Sequence, residues 1–279
     1  MTVRGRSSGK RGGSSRILIA IVFAVISLVT YFGSRQYNAV TDEVQYIDVT
    51  VAQEIALGLQ AAPQMSMQYG GEYPDQQMQA LVDTIGERIV QSSDLQETGY
   101  QFDFHLLADD TTVNAFALPG GQVFVTVGLL KLLQTEGELA GVIGHEIGHV
   151  VARHSAEHMA KAALTEGLTG AAVMAAYDPS DPKSVGAAQM AALVGQMVNM
   201  KFGRDDELES DKLGVRFIGA AGYDPRAMIR VMEVLAQASG GSRQPEFLSS
   251  HPNPDNRIER IQQAIEMEFP VGLPEGLTP

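Results

Sequence analysis

The pentapeptide His145-Glu146-Ile147-Gly148-His149 carries the strongest chemical signal in this 279-residue chain. On a helix, residues four apart lie about 40° apart around the axis and roughly 6 Å along it, so both imidazoles can reach one cation. Glu146 lies one step from the first imidazole, where its carboxylate reaches a water on the metal instead of the metal itself. The chain has no cysteine, which excludes thiolate zinc sites, disulfide frameworks and cysteine nucleophiles. Any metal must be held by His, Asp or Glu.

A hydrolytic zinc site needs a third protein ligand and an open fourth position. No third histidine follows at the spacing of the HExxHxxGxxH pattern. GELAGVIGHEIGHVVARHSAEHMAKAAL reads as one uninterrupted helix. On it, His154 and His158 fall roughly 140–180° around from His149, as polar-face or packing residues. Arg153 sits one turn below His149, placed to pair with a carboxylate near the site or to stay solvated. The carboxylates to consider lie in FGRDDELESDKLGVRFIG. As a helix this aligns Glu207, Asp211, Gly214 and Ile218 on one stripe, while Glu209, Lys212 and Arg216 point elsewhere. A stripe that continues as Gly and Ile faces inward, and buried carboxylates need compensation of the kind a zinc ion with its imidazoles supplies. Glu207 is therefore the expected third ligand. Asp211, one turn on, is expected to accept the second N–H of a ligand imidazole.

The elements that must position these groups follow from apolar spacing. Thr50–Gln68 and Asp75–Ser92 read as helices, with Pro63 and Gly70-Gly71 as breaks. Tyr100–Leu107 alternates like a half-buried strand, and Asn114–Leu118 and Gln122–Thr126 flank a turn at Pro119-Gly120-Gly121. GGQVFVTVG reads as an exposed edge strand against which an extended peptide could add. Beyond Val127 the chain reads as helices, with loops at 177–184 and 240–255 and an extended tail at 269–279. A short sheet followed by helices implies an α+β, mainly helical fold. Residues 164–202, rich in Ala, Gly and Met, read as a helical pair covering the site, or as an adaptable apolar surface for unfolded clients or lipid.

Charge divides the chain. Residues 1–36 hold six basic side chains and no acid, whereas the remainder holds 14 basic against 33 acidic. So acidic a body repels phosphate backbones, which excludes nucleic acid as a partner. Residues 17–34, ILIAIVFAVISLVTYFGS, are uncharged. As a helix they would span about 27 Å, close to a ~30 Å hydrocarbon core. The basic head at 1–16 then stays in the cytoplasm. This gives a head, a transmembrane anchor at 17–34 (or a signal segment cleaved on export), a linker at 35–49 and a catalytic domain at 50–268.

Four blocks in order carry a family likeness: NAFALPGGQVFVTVGLL at 114–130, HEIGHVVARH at 145–154, ELESD at 207–211 and SSHPNPDNRIERI at 249–261. The chain resembles the zinc metallopeptidases that include the CAAX prenyl protease, the heat-shock protease HtpX and the outer-membrane assembly protease BepA. The resemblance implies a zincin-like domain with one Zn2+ held by His145, His149 and Glu207. It implies Glu146 as catalytic acid/base and Asp211 as the second member of the E-x-x-x-D pair. His251 would lie in a loop over the site, touching the metal or polarising the substrate. The loop SRQPEFLSSHPNPDN has no helical period. If His251 fills the open metal position its loss raises activity, if it steadies the oxyanion its loss lowers it, and a solvent-facing role changes nothing. The chain has a single apolar span, no cysteine for lipidation and no repeat domain after the last helix, so substrates cannot be copied from better-known relatives.

The expected function is a zinc endopeptidase for unfolded or misassembled proteins in a bacterial envelope, anchored in the inner membrane with its domain in the periplasm. The competing readings are a zinc-binding chaperone that holds clients without cutting them and a structural protein with a closed zinc site.

Overall fold

The computed structural model describes residues 11–176, 202–239, 245–252 and 256–279. They fall into two units, one holding 11–38, 42–48 and 157–176 and the other holding 39–41, 49–156, 202–239, 245–252 and 256–279.

In the first unit, α1 (Arg11–Gly33) includes a 19-residue stretch, Ser15–Gly33, of mean hydropathy 2.2, long and apolar enough to cross a membrane. Ile17, Leu18, Ile21, Val22, Phe23, Val25 and Val29 are exposed on it. The expected linker carries structure. β1 (Arg35–Asn38) pairs antiparallel with β2 (Glu43–Tyr46), and Asp42 takes a left-handed φ of 61° at the turn. The Tyr46 ring stacks on Tyr31 at 5.0 Å, seating the hairpin on the end of α1. Aromatic contact of this kind, absent from any periodicity count, explains why a segment read as a linker is ordered.

The second unit contains the three-stranded sheet. β3 (Asp103–Leu107) runs parallel to β5 (Gln122–Thr126), and β4 (Ala115–Ala117) runs antiparallel to β5 on its other side. β5 is therefore central and fully buried, not the edge strand expected of GGQVFVTVG. A strand buried on both faces reads as a continuous apolar run. Its neighbours β3 and β4 are the two edges of this sheet. Gly120 and Gly121 make the turn with φ of 88° and 113°, where side chains would meet the backbones of Ile55 and Gln101.

Helices pack around this sheet. α2 (Val51–Gln68) starts with a reciprocal Thr50–Gln53 capping box and buries Glu54, Gly58 and Ala62 at four-residue spacing. It runs unbroken through Pro63, because a proline removes one hydrogen bond and the flanking turns hold. α3 (Gln76–Gln91) is capped by Asp75 and buries Val82, Ile85 and Ile89. A helical turn, α4 (Val127–Leu130), follows β5. α5 (Glu136–Val151) is capped by Thr135 and is buried along nearly its whole length. α7 (Arg204–Ala220), α8 (Ala227–Ser239), the turn α9 (Phe247–Ser250) and α10 (Arg257–Glu268) complete the unit. The tail folds back, with Thr278 bridging Tyr223 and the Pro279 carbonyl accepting from Gly137 N–H at 2.8 Å.

The long helix through the pentapeptide is not continuous. α5 ends at Val151, Arg153 adopts a left-handed φ of 60°, and α6 (His154–Ala176) starts afresh. A non-glycine residue holds such a conformation only where its surroundings over-determine it. Here the Arg153 guanidinium is clamped by the buried Glu54 carboxylate and donates to the Val49 carbonyl at 2.7 Å. Glu54 also accepts from Tyr100 Oη at 3.2 Å. The expected loop at 177–184 and most of the Met-rich stretch lie outside the described residues.

α5 and α7 approach closely because α5 presents Gly144 and Gly148 to Gly214, Ile218 and Ser210. A Cβ at 148 would stand 2.9 Å from the Ser210 carbonyl oxygen and 3.1 Å from its Cα, both backbone atoms that cannot rotate away. Gly148→Ala should therefore lower unfolding free energy by about 1–3 kcal/mol. Gly170→Ala, where nothing lies within 4 Å of the added methyl, should not destabilise. Denaturant unfolding of the two variants checks this, and equal stabilities would refute the close-packing account.

Candidate metal centre

Four side chains aim at one point. His145 and His149 come from consecutive turns of α5, Glu207 from the first turns of α7, and His251 from the residue that caps α9. One ligand atom from each lies within 4.8 Å of all the others. His145 Nε2 is 3.1 Å from His149 Nε2 and 3.5 Å from Glu207 Oε2. His149 Nε2 is 3.4 Å from Glu207 Oε1. His251 Nδ1 lies 3.0 Å from Glu207 Oε1 and 3.3 Å from His145 Nε2. None of the four exceeds 3% exposure.

The inward stripe on α7 holds. Glu207, Asp211, Gly214 and Ile218 are buried, whereas Lys212 is exposed and Glu209 and Arg216 are half-buried. Asp211 Oδ1 lies 2.9 Å from His145 Nδ1. A carboxylate only accepts, so Nδ1 carries the hydrogen, and in the neutral ring Nε2 presents its lone pair to the other imidazoles and Glu207. Glu146 is buried with its Oε1 3.5 Å from His251 Nε2. His251 is not solvent-facing. The segment before it, read as lacking helical period, forms the turn α9, and Phe247 stacks on the imidazole at 4.5 Å. One turn is too short to leave a periodic signature.

The structure adds an ion pair that residue spacing did not single out. Arg257, 1% exposed, donates from Nε to Asp211 Oδ2 at 2.7 Å and from Nη2 to Asp211 Oδ1 at 2.9 Å. Its Nη1 lies 3.1 Å from Glu207 Oε2. The signal was present in α10, where Arg257 shares the stripe of Ile261, Ala264 and Ile265, all buried. The rule that turned Glu207 inward applies equally to this arginine. Arg153, one of the residues considered, finds its carboxylate in Glu54 instead of at the centre.

These contacts set the charge states. Burial would lower His145, but hydrogen bonds with Asp211 and Glu207 outweigh it and raise its pKa to about 9. Burial drives His149 well below its ordinary value. Burial alone would raise Glu207, yet the imidazoles of His145, His149 and His251 hold it far below the carboxylate range. Asp211 is likewise lowered against its burial by Arg257 and His145. Burial raises Glu146, outweighing the opposing pull of His251 and His145.

Does a cation fit? Among the described residues, Glu146 Oε1 is buried without a hydrogen-bond partner, and Glu207 Oε2 has the Arg257 ion pair at 3.1 Å but no hydrogen bond of good geometry. Imidazole lone pairs crowd together at 3.1–3.3 Å, which is repulsive unless a proton or metal lies between them. Nitrogen and carboxylate donors of this number suit zinc.

Comparison with known proteins agrees. Residues 76–265 match the model of peptidase family M48. The chain belongs to that family. It is 32% identical over 214 residues to the beta-barrel assembly-enhancing protease of Yersinia pestis, covering 75% of this chain and 43% of that protein. It is 38% identical over 164 residues to the mitochondrial metalloendopeptidase OMA1 of Arabidopsis thaliana, covering 58% of this chain and 32% of the relative. With OMA1 of Schizosaccharomyces pombe the identity is 31% over 240 residues, 84% of this chain and 68% of that one. The chain thus spans less than half the length of the assembly-enhancing protease it matches. The M48 match makes this a zinc metallopeptidase domain with a cluster able to bind its metal.

Arg257 is the charge that lets two inward carboxylates coexist in the metal-free M48 domain. Arg257→Met should lower the stability of the zinc-free protein by about 3–5 kcal/mol, because it strands buried Asp211 and Glu207. Denaturant unfolding in the presence of a chelator measures this. Unchanged stability would show that the guanidinium is dispensable.

Proposed function

We propose that the protein is a zinc-dependent endopeptidase that cleaves unfolded or extended polypeptide within a bacterial envelope. The observation that carries this is the buried Glu146 beside a cluster of two α5 imidazoles and the Glu207 carboxylate. In this reading His145, His149 and Glu207 hold the metal. When bound, zinc supplies Lewis acidity that acidifies water and draws charge from a carbonyl oxygen. Glu146, held by α5 one residue from His145, takes the proton from the attacking water and delivers it to the leaving amine. Its raised pKa brings it closer to the pH at which it must both accept and give that proton. Asp211 and Arg257 hold the His145 ring. β4, a sheet edge, offers backbone groups to an extended chain, which selects for unfolded segments over particular sequences.

His251 supports a resting-state role. It packs against Glu207 and His145 instead of standing off them, so it would be placed to hold the metal alongside them in the absence of substrate. The apolar α1 and the basic head support a single-pass anchor with the domain on the periplasmic side, and the name of the Yersinia relative supports an envelope role.

A casein-type assay tests the chemistry. Glu146→Gln should cut turnover by about 10²–10⁴-fold while the protein keeps its zinc, whereas undiminished turnover would reject the mechanism and a chaperone would keep its holding activity. Glu146 must be ionised to act. Protonation removes the base, so activity should fall as the pH is lowered into the carboxylate range. His251→Ala should turn over a short peptide faster at equal zinc occupancy, and a slower variant would move His251 to oxyanion support. Protease added to spheroplasts should digest the domain at 50–268 and spare the head. Full protection of the domain would reject the topology.

A further inference from the structure

His145 receives its orienting acceptor from Asp211, but among the described residues no carboxylate stands behind His149. Its Nδ1 instead lies 2.8 Å from Nδ1 of His154, a buried imidazole on the first residue of α6. His154 Nε2 in turn lies 3.0 Å from Glu209 Oε2. We propose that His154 is a positioning residue that fixes the metal-binding tautomer of His149 and is itself fixed by Glu209. The inference rests on the zinc reading of His145, His149 and Glu207.

The tautomers follow in order from the carboxylate. Glu209 only accepts, so His154 Nε2 carries a hydrogen and, in the neutral ring, His154 Nδ1 presents a lone pair. Only one of two nitrogens 2.8 Å apart can donate to the other, so His149 Nδ1 carries the hydrogen. His149 Nε2 is then bare and faces Glu207 and His145. The reversed arrangement sets the His154 Nε2 lone pair against a carboxylate oxygen and puts a hydrogen where the metal must bind.

Three features of the chain build this relay. The break at Arg153 swings His154 back towards His149, which a continuous helix would forbid. Phe202 stacks on the His149 ring at 4.3 Å with planes 26° apart, fixing its plane while His154 fixes its rotation. Glu209 lies two residues beyond Glu207, so α7 supplies both a ligand and the anchor of the relay. The choice of an imidazole has an electrostatic reason. Glu146, Glu207 and Asp211 already place three buried carboxylates around the centre. The relay keeps a fourth one ring further out, on a side chain that is 23% exposed.

Zinc dissociation constants of the full chain, measured by competition with a chromogenic chelator, test the proposal. His154→Leu should weaken zinc binding about 10–100-fold. His154→Asn, whose Oδ1 can accept from His149 Nδ1, should restore most of that loss. Glu209→Ala should weaken binding in the wild-type chain and add nothing in the His154→Leu background. In ¹⁵N spectra of the zinc-loaded protein, His154 should show a hydrogen-bearing Nε2 and a bare Nδ1. Unchanged affinity in His154→Leu, an Asn variant as weak as the Leu variant, or an equal cost of Glu209→Ala in both backgrounds would overturn the relay. Zinc binding that survives His145→Ala would overturn the metal reading itself, and the relay with it.

Discussion

The buried carboxylate of Glu207 is the constraint around which the catalytic unit is organised. Removing an ionised carboxylate from water costs several kcal/mol unless charge and hydrogen bonds replace the solvent. Here three imidazoles and a guanidinium surround it, and Asp211 shares the guanidinium one helical turn away. Such an arrangement requires α7 to lie almost in contact with α5, and glycines at 144 and 148 permit that approach. The same approach leaves Nε2 of His145 and Nε2 of His149 only 3.1 Å apart. Fold and site are thus one packing problem, solved where glycines on one helix meet the backbone of the other.

Closure of the site follows from neighbouring apolar packing. Phe202 covers the His149 ring and Phe247 covers His251, and both imidazoles are buried. The short α9 that carries Phe247 is tied to the sheet side of the unit. Glu246 accepts from Tyr69 Oη at 2.5 Å and from Asn114 Nδ2 at 3.2 Å, and Phe247 N–H donates to the Val113 carbonyl. Burial and the Glu246 carboxylate raise Tyr69 to about 12, so the phenol keeps the proton it donates. His251 is thus held by contacts made just before strand β4.

Much of the centre was legible because helical geometry converts spacing directly into direction. The stripe from Glu207 to Ile218 pointed inward for the reason given by its apolar members, and His145 and His149 converged as a four-residue spacing requires. What escaped depended on events that spacing does not record. The helix break at Arg153 carries no glycine or proline, and its cause, Glu54, lies about a hundred residues earlier in the chain. Reading through that break placed His154 on the wrong side. β5 looked like an edge because a central strand and a peptide-binding edge share the same apolar run, and only the pairing with β3 separates them. Arg257 was readable from its stripe, but a lone arginine at a helix start resembles a solvated one until its carboxylates are placed beside it.

The central claim is that one metal ion is held jointly by α5 and α7. Anomalous diffraction at the zinc edge, from crystals of the zinc-loaded full chain, tests it most directly. The account predicts a single peak about 2.0–2.2 Å from His145 Nε2, His149 Nε2 and a Glu207 carboxylate oxygen. A peak bound by the imidazoles with Glu207 turned away, or one located elsewhere in the chain, would contradict it.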